Sequence, residues 1–410
     1  MPTHHVEHSP APPDVELDRA RPDPVRYDLA WPDSEHASPA PPGLVLLIPG
    51  FGQDNDDGYL RAFREWIAAR FGLAAMTVRY HGIHNRPNQG AAPQFTTEDA
   101  GRLYHACEAH GIAWPPPDQA PNLNQLIQQL HHATSTKAVE AQRRGAPAPS
   151  MTTLTCGLLS PDGPVNLGLP QALDHLAALC HLQQHRPIDT ANVVALGSSH
   201  GGYLAQLCAK LAPNTFRAVL DNSGYAQLPE RYVDGRPSLT PDCFDAWSPV
   251  FRFAYFVTSG WSLDAAAPNH YHADARALRD LAFAPHREAV RAATDRPAAV
   301  RCVHAPDDEI APTTDKQRYV ETLRRDGVDA TIQVMAEPDV DGRYVKTLDH
   351  GLGLSLRTFF EKHYTTLPAH ETAHTNDAAR GTTLIFAGSD RAYHLTHGPD
   401  GPAVRYTSNQ

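Results

Sequence analysis

The fold of this chain is decided by residues 192–211, which read NVVALGSSHGGYLAQLCAKL. Residues 193–196 are apolar and include two valines, as is typical of a buried parallel strand. From residue 201 onward the apolar side chains follow helical spacing, with leucines at positions 204, 207 and 211. The turn GSSHG, residues 197–201, lies between the two patterns. The stretch therefore predicts a strand, a tight turn and a helix, with Ser199 in the middle of the turn.

Strands and helices alternate on both sides of this stretch. Apolar segments predict further strands at residues 43–48, 75–80, 216–221, 298–304 and 330–335. Helical spacing predicts helices at residues 59–70, 170–184, 313–325 and 352–363. Because such alternation is typical of βαβ units, we expect an α/β fold with a mostly parallel central sheet flanked by helices. The domain built on this sheet is predicted to cover residues 43–365.

Two segments interrupt the alternation, at about residues 82–168 and 224–296. The first contains one helical stretch, at 123–140, and we interpret it as an insertion at the functional edge of the sheet rather than as a separate domain. The second insertion is dense in aromatic residues, among them Trp247, Phe251 and Tyr255. One interpretation of these aromatic residues is a small core that belongs to the insertion itself.

Extensions flank this domain at both ends. Residues 1–42 are rich in proline and polar groups, with one possible edge strand near residues 25–29. Residues 366–410 contain β-branched and aromatic runs at 383–386 and 403–406, which predict a small β appendage.

Composition narrows the class of protein. The chain has 410 residues, of which 41% are hydrophobic and 20% charged, as in soluble globular proteins. A net charge of −11 without any basic run argues against a nucleic-acid partner. We find neither a secretion signal near the first residue nor an apolar stretch of about 20 residues that could span a membrane. The six cysteines lack paired spacing, so we expect free thiols and a cytoplasmic location.

The strand, the GSSHG turn and the helix resemble the nucleophile elbow of α/β-hydrolases. In that family a serine occupies a strained turn, and small neighbours allow the strand and the helix to pack closely beneath it. The resemblance covers about residues 43–363. It implies the α/β-hydrolase fold, with two insertions and a small C-terminal β appendage, and it implies Ser199 as the nucleophile. A glycine-rich turn that only packs tightly is the alternative interpretation of the motif.

The family places an acid and then a histidine after the serine. Residues 304–312, HAPDDEIAP, resemble the acid loop of the family, and alignment on its first and last residues puts the acid at Asp308. Asp307 is a close competitor, because the loop could slip by one residue. Asp221, at the end of the strand after the elbow, is a further alternative, although it could also cap a turn.

His350 is the candidate base among 24 histidines. It lies beyond the last predicted strand, directly before the closing helix, where the family carries its catalytic histidine. Because parallel strands end at one edge of a sheet, Ser199, Asp308 and His350 are expected to meet there as a catalytic triad.

The resemblance also implies an oxyanion hole made of two backbone N–H groups. We expect one from His200, next to the nucleophile, and the other from Phe51 in the turn at residues 49–52. A glycine turn without catalytic purpose is the alternative for the latter. His81, after the strand at 75–80, is a candidate for contact with the substrate.

These expectations describe a serine hydrolase that needs neither metal nor cofactor. The second insertion stands where the family often carries a lid, so Trp247, Phe251 and Tyr255 are candidates for substrate contact. A small acyl compound is the expected substrate, most simply a carboxylic ester, handled through an acyl-enzyme. A thioester, an amide or peptide, or transfer to another acceptor would use the same groups. A non-catalytic binding protein is the alternative from another class, and the oligomeric state stays open.

Overall fold

The computed structural model describes residues 2–33, 40–114, 122–236, 240–368 and 375–408. The strands of these ranges are β1 (Thr3–Ser9), β2 (Val25–Trp31), β3 (Leu44–Ile48), β4 (Ala74–Val78), β5 (Ala92–Gln94), β6 (Thr152–Leu159), β7 (Val193–Ser198), β8 (Ala218–Asn222), β9 (Cys243–Ser248), β10 (Phe251–Val257), β11 (Ala299–His304), β12 (Ala330–Val334), β13 (Thr383–Ala387), β14 (Arg391–Gly398) and β15 (Gly401–Ser408). The helices are α1 (Gly58–Phe71), α2 (Thr97–Ala109), α3 (Leu123–Arg143), α4 (Leu169–His185), α5 (His200–Leu211), α6 (Glu230–Asp234), α7 (Ala273–Arg279), α8 (Ala284–Ala293), α9 (Thr313–Arg325), α10 (Leu356–Tyr364) and α11 (Asp377–Arg380).

The chain divides into two compact units. Unit 1 comprises Met1–Ile83, Asn166–Glu230 and Trp261–Gln410, and unit 2 comprises His84–Val165 and Arg231–Gly260. Unit 1 therefore contains the main run of alternating strands and helices.

Unit 1 is built on an eight-stranded sheet with the order β1-β2-β4-β3-β7-β8-β11-β12. The last six strands of this order run parallel to one another, whereas β1 and β2 are joined to that edge in antiparallel fashion. Every residue of β3 and β4 is buried, which explains why their sequences are continuous apolar runs without alternation. This is the α/β-hydrolase fold, so the predicted fold class is confirmed.

The core of unit 1 fills the space between the sheet and helices α1 and α10. Phe63 of α1 and Phe359 and Phe360 of α10 are fully buried, and they belong to one apolar cluster with Leu47 of β3 and Leu196 of β7. Each such side chain contributes about 1.5–3 kcal/mol through its removal from water. This packing holds the strands that carry the functional loops.

Several helix boundaries have local causes. The carboxylate of Asp57 accepts the N–H of Tyr59 at the start of α1, and Gly72 ends that helix in a left-handed conformation. Helix α10 begins at Leu356 instead of the predicted residue 352, because residues 351–353 all have positive φ and cannot continue a right-handed helix. Among the helices of the described ranges, none is both long enough and apolar enough to cross a membrane.

Unit 2 has a four-stranded sheet of its own, in the order β5-β6-β10-β9. Strand β6 comes from the first predicted insertion and β10 from the second, and the two strands pair in parallel. The sequence analysis treats these insertions as separate excursions. The two insertions share a sheet because each supplies a strand with an apolar face, and pairing lets both faces be buried together. Leu154 of β6 and Phe253 of β10 lie in one apolar core with Leu130 of α3. Residues 261–296 of the second insertion belong to unit 1 instead.

The two ends of the chain carry more strand structure than the sequence analysis predicts. Strand β1 is an edge strand of the main sheet, and β13, β14 and β15 form an antiparallel three-stranded sheet. Strands β1 and β14 were not predicted because histidines and charged residues interrupt their apolar pattern, as the sequences THHVEHS and RAYHLTHG show.

A buried ion pair links both ends to the middle of unit 1. The side chains of Glu16 and Arg279 are fully buried, and the guanidinium donates a hydrogen bond to each carboxylate oxygen, at 2.8 and 2.5 Å. Tyr393 of β14 donates its hydroxyl proton to the same carboxylate at 2.6 Å. The amide of Asn166 contributes another hydrogen bond, at 3.0 Å. The C-terminal sheet is thus tied into the fold of unit 1.

Candidate active site

Ser199 occupies a strained turn between β7 and α5. Its φ of 56° and ψ of −124° fall in a region that residues with a side chain rarely adopt. A Cβ atom at Gly197 would overlap the carbonyl of Gly201, and one at Gly201 would overlap the carbonyl of Ile48. Only glycine at these two positions lets strand, turn and helix approach so closely. The predicted interpretation of the GSSHG motif as a sharp strand-to-helix turn therefore describes the geometry of this segment.

The side chains of Ser199, His350 and Asp308 form a continuous series in which His350 lies within hydrogen-bond distance of the other two. The Oγ atom of Ser199 is 2.7 Å from Nε2 of His350. On the other side of the ring, Nδ1 of His350 is 2.7 and 2.9 Å from the two carboxylate oxygens of Asp308. With a proton on Nδ1, the imidazole donates to the carboxylate and accepts the serine hydroxyl at Nε2. The structure brings together the three side chains that the sequence analysis singles out.

Asp308 is fixed as a carboxylate by its loop. Its Oδ1 accepts the backbone N–H groups of Ile310 and Ala311, at 3.0 and 2.9 Å. Burial disfavours the charged form, but the hydrogen bonds from His350 and Ala311 outweigh it and hold the pKa of Asp308 below its ordinary value. The competing residue, Asp307, is exposed. Of these two neighbours, only Asp308 bonds the imidazole of His350.

Asp221 serves a different purpose from that of a triad acid. Its Oδ2 is 2.7 Å from Nζ of Lys316 in an ion pair between two fully buried side chains. Its Oδ1 accepts the N–H of Gly224 at 2.8 Å, which is the turn-capping role that the sequence analysis names as an alternative. Lys316 also donates to the carbonyl of Tyr225. The Asp221 carboxylate therefore stabilises the turn after β8.

Asn222 and Ser223 connect the elbow to the loop that carries the histidine. The carbonyl of Asn222 accepts the N–H of Ser199 at 2.7 Å. Its side-chain amide donates to Oγ of Ser198 at 2.9 Å and to the carbonyl of Gly351 at 3.0 Å. The hydroxyl of Ser223 accepts the N–H of Gly351 at 3.3 Å. Neither residue is among the site residues predicted from the sequence, although their position at the end of β8, beside the other functional loops, is a signal for both.

The two candidate oxyanion donors flank the nucleophile. His200 is the first residue of α5, where helical geometry leaves backbone N–H groups without an acceptor inside the helix. Phe51 follows Gly50, and a Cβ atom on Gly50 would lie 3.6 Å from Cβ of Ser199. The rings of Phe51 and His200 are 6.1 Å apart. The turn after β3 and the start of α5 thus face each other beside Ser199.

The His200 side chain is part of a buried network and not of the triad. Its Nε2 lies 2.7 Å from Oε1 of Gln171, which makes this nitrogen the donor. Burial lowers the pKa of His200 to about 3, so the ring is neutral at neutral pH. Gln171 in turn donates to the carbonyl of His81 at 2.9 Å. His81 is itself buried, and its Nε2 accepts the N–H of Asn166.

Trp247, Phe251 and Tyr255, the other predicted substrate contacts, lie in unit 2. Phe251 is fully buried, and its ring packs 6.0 Å from that of Trp247. Tyr255 stacks on Phe253 at 5.4 Å, and both belong to the apolar core of this unit. The packing agrees with the interpretation of these residues as a core of the insertion, and their contact with a substrate stays a prediction.

No group of three or more His, Cys, Asp or Glu side chains in the described ranges is arranged to hold a metal ion. The six cysteines are free thiols, and five of them are buried. Burial raises the pKa of Cys208 and of Cys302. In contrast to these thiols, the hydroxyl of Ser199 lies within hydrogen-bond distance of an imidazole nitrogen, at 2.7 Å from Nε2 of His350.

One protein-family model matches most of the chain. A family model described as a protein of unknown function, DUF2920, matches residues 4–400. No curated protein sequence matches this chain. The match to the family model extends over most of unit 1 and all of unit 2.

Solved structures resemble the chain at low sequence identity. A puromycin-hydrolyzing peptidase of Mycobacterium tuberculosis is 13% identical, with a TM-score of 0.47, and the match covers 88% of this chain and 38% of that one. An acylaminoacyl peptidase is 11% identical, with a TM-score of 0.47 and coverage of 90% and 42%. Brefeldin A esterase, described as a bacterial homologue of human hormone-sensitive lipase, is 14% identical, with a TM-score of 0.42 and coverage of 89% and 74%. The chain spans less than half the length of the two peptidases.

Proposed function

The chain belongs to the DUF2920 family, and we propose that it is a serine hydrolase that cleaves an acyl bond through an acyl-enzyme. The observation that carries the proposal is the continuous hydrogen-bonded series from Ser199 Oγ through His350 to Asp308, with heavy-atom distances of 2.7 Å on both sides of the ring. Such a series is what a serine needs to act as a nucleophile, since its hydroxyl is a weak one without a base.

Each residue of the series has a defined task in the proposed reaction. His350 Nε2 takes the proton of Ser199 as Oγ attacks the carbonyl carbon, and it then gives that proton to the leaving group. The Asp308 carboxylate accepts a hydrogen bond from Nδ1–H throughout, remains ionised and stabilises the imidazolium. Water repeats the same two steps on the acyl-enzyme, which releases the acid and restores the serine hydroxyl.

The backbone N–H groups of Phe51 and His200 are the proposed donors to the oxyanion. Both residues flank Ser199, and the positive end of the α5 dipole adds to the donor at His200. Ser199 itself has a φ of 56°, the strained backbone expected of a nucleophile on a sharp strand-to-helix turn. A donor of this kind is worth about 2.7–4 kcal/mol of transition-state stabilisation.

A carboxylic ester is the substrate that we propose, because an alkoxide or phenolate leaves more readily than an amine and so asks less of the general acid than an amide does. Thioesters, amides and acyl transfer to another acceptor would use the same groups. Hydrolysis rates on p-nitrophenyl esters of increasing chain length, and then on thioesters and anilides, show which class of substrate the protein cleaves. Activity on anilides above that on esters would replace the ester proposal with a peptidase or amidase.

The catalytic role is tested by labelling with a fluorophosphonate probe. We expect the wild-type protein to be labelled, Ser199→Ala to be unlabelled, and Ser389→Ala, in the turn between β13 and β14, to be labelled like wild type. Ser199→Ala is also expected to lose a factor of about 10⁶ in kcat. A wild-type protein that is correctly folded yet neither labelled nor active would favour a non-catalytic binding protein.

A further inference from the structure

Unit 1 contains a cavity of about 260 Å³ that takes no part in the triad. It lies between helices α5, α8 and α9, against the first residues of β11. Apolar side chains form most of its wall, including Leu281, Val290, Val300 and Leu323. The apolar part of this wall suits the hydrocarbon part of a ligand.

The polar groups of the wall differ in how they are satisfied. Lys210 donates hydrogen bonds to the carbonyls of Leu278 and Asp280 at 2.7 and 2.8 Å, so its N–H groups already have acceptors within the protein. Arg287 is paired with the carboxylate of Asp326. Arg291, on the last turn of α8, also lines the cavity but is exposed and makes no hydrogen bond or ion pair with the described residues. One guanidinium at an apolar cavity is therefore available to an anion.

Charge favours an anion as well. Burial lowers the pKa of Lys210 to about 7, and Arg287 is paired with the carboxylate of Asp326, so Arg291 carries the uncompensated positive charge among the residues that line the cavity. The planar fork of a guanidinium matches a carboxylate with two parallel hydrogen bonds. A cavity of 150 Å³ is known to hold benzene, so this one has room for about ten non-hydrogen atoms.

We propose that this cavity is a second ligand site, which binds a small amphipathic monocarboxylate. The hydrocarbon body fills the space between α5, α8 and α9, and the carboxylate pairs with Arg291. The proposal is independent of the hydrolase reaction, since none of its residues belongs to the triad or the oxyanion turn.

The wall of the cavity also reaches the structure beneath the elbow. The hydroxyl of Tyr319 donates to Oε1 of Gln206 at 3.2 Å, and Nε2 of Gln206 donates to Asp221 at 3.4 Å. Both Tyr319 and Gln206 line the cavity. A ligand that moves either side chain acts on the Asp221 carboxylate, which holds the turn after β8.

Isothermal titration calorimetry with octanoate, a monocarboxylate of about ten non-hydrogen atoms, tests the proposal. We expect a dissociation constant below about 1 mM, and binding of butyrate at least about tenfold weaker because it buries fewer methylenes. Arg291→Ala is expected to weaken octanoate about tenfold but to leave octan-1-ol unchanged. Arg143→Ala, an exposed arginine on α3, is the matched control and is expected to bind octanoate like wild type.

A second variant locates the site. Ala209→Phe places a ring in the cavity from α5 and is expected to abolish octanoate binding, with folding checked by thermal unfolding. Ala209 and Arg291 line the cavity and lie outside the triad and the oxyanion turn, so loss of octanoate binding in their variants separates this site from the proposed active site. No saturable binding by the wild-type protein, or equal binding by wild type and Arg291→Ala, would overturn the proposal.

Discussion

The side-chain amide of Asn222 holds the backbone of Gly351, the residue directly after the proposed base, through a hydrogen bond of 3.0 Å. The same NH₂ group donates to Ser198, the residue directly before the proposed nucleophile, at 2.9 Å. Asn222 is 1% exposed, so water cannot replace these bonds. One buried amide therefore fixes the distance between the two loops that must meet.

Asn222→Ala is expected to lower kcat by about 10- to 100-fold with little change in KM, because a small displacement of His350 from Ser199 costs the aligned geometry that the reaction needs. Steady-state kinetics on a p-nitrophenyl ester measure both constants. Asn192→Ala removes another buried asparagine, one that bonds Tyr364 and Arg217, and serves as the control for lost stability alone. An unchanged kcat in Asn222→Ala would show that the amide has no positioning role.

Asp308→Asn and Asp221→Asn are expected to fail in different ways. Loss of the Asp308 carboxylate leaves His350 in the wrong tautomer and lowers kcat by about 10⁴-fold, with a near-normal melting temperature. Loss of the Asp221 charge leaves the buried Lys316 ammonium unpaired and costs about 3–5 kcal/mol of unfolding free energy. Kinetics and urea denaturation of both variants check the pair. The opposite pattern would make Asp221 the acid.

Gly201→Ala is expected to destabilise unit 1 by about 3 kcal/mol or more, since the new methyl group would overlap the carbonyl of Ile48. Gly58→Ala provides the matched control, because a Cβ atom there meets nothing within 4 Å and lies in the first turn of α1. The control is expected to stay within about 1 kcal/mol of wild type. Urea denaturation followed by circular dichroism measures both. Equal stabilities would mean that strand and helix are not as close as described.

His175 is expected to make the protein sensitive to mild acid. Burial lowers the pKa of this histidine to about 4, from an ordinary value of 6.5. Between those two pH values the unfolded chain binds a proton that the folded chain does not. The unfolding free energy therefore falls as the pH drops through this window, by about 2 kcal/mol between pH 7 and pH 5 for this one group.

His175→Phe should remove that part of the loss. The ring packs 5.1 Å from that of Tyr80, and its Nε2 has no hydrogen-bond partner among the described residues. Phenylalanine keeps the ring contact but loses the 2.7 Å hydrogen bond from Nδ1 to the carbonyl of Gln171, which costs about 1 kcal/mol at either pH. Urea denaturation at pH 7 and pH 5 measures the difference, with His8→Phe on the exposed side of β1 as control. An identical pH dependence in His175→Phe and wild type would contradict the assignment.

Much of unit 1 could be predicted because buried parallel strands and tight turns leave clear local patterns. The run at β3 and the GSSHG turn are of this kind, and α9 has the predicted bounds. Asp308 was singled out by the resemblance of residues 304–312 to the acid loop of the α/β-hydrolases, and His350 by its position between the last predicted strand and the closing helix. The pairing of β6 with β10 could not be predicted, since it joins segments about ninety residues apart whose apolar faces do not specify a partner.

The role of Asn222 escaped the sequence analysis for a related reason. An asparagine after a strand is also what an ordinary turn requires, so its residue type carries no signal of the two loops that it joins. Asp221 posed the same ambiguity, which only its contact with Lys316 resolves. Turn residues become informative when their side-chain partners are known, and those partners lie far away in the chain.

The carboxylate of Glu16 and the hydroxyl of Tyr393 bond each other across 377 residues of sequence. During synthesis on the ribosome, Glu16 emerges early, but its carboxylate has no partner until Arg279 has emerged. The hydrogen bond from Tyr393 forms only after β14 has emerged as well. Unit 2, in contrast, has all of its strands and helices once residue 260 has emerged. Translation order therefore lets unit 2 fold while the chain is still growing, whereas the contacts of unit 1 are completed only after β14 has emerged.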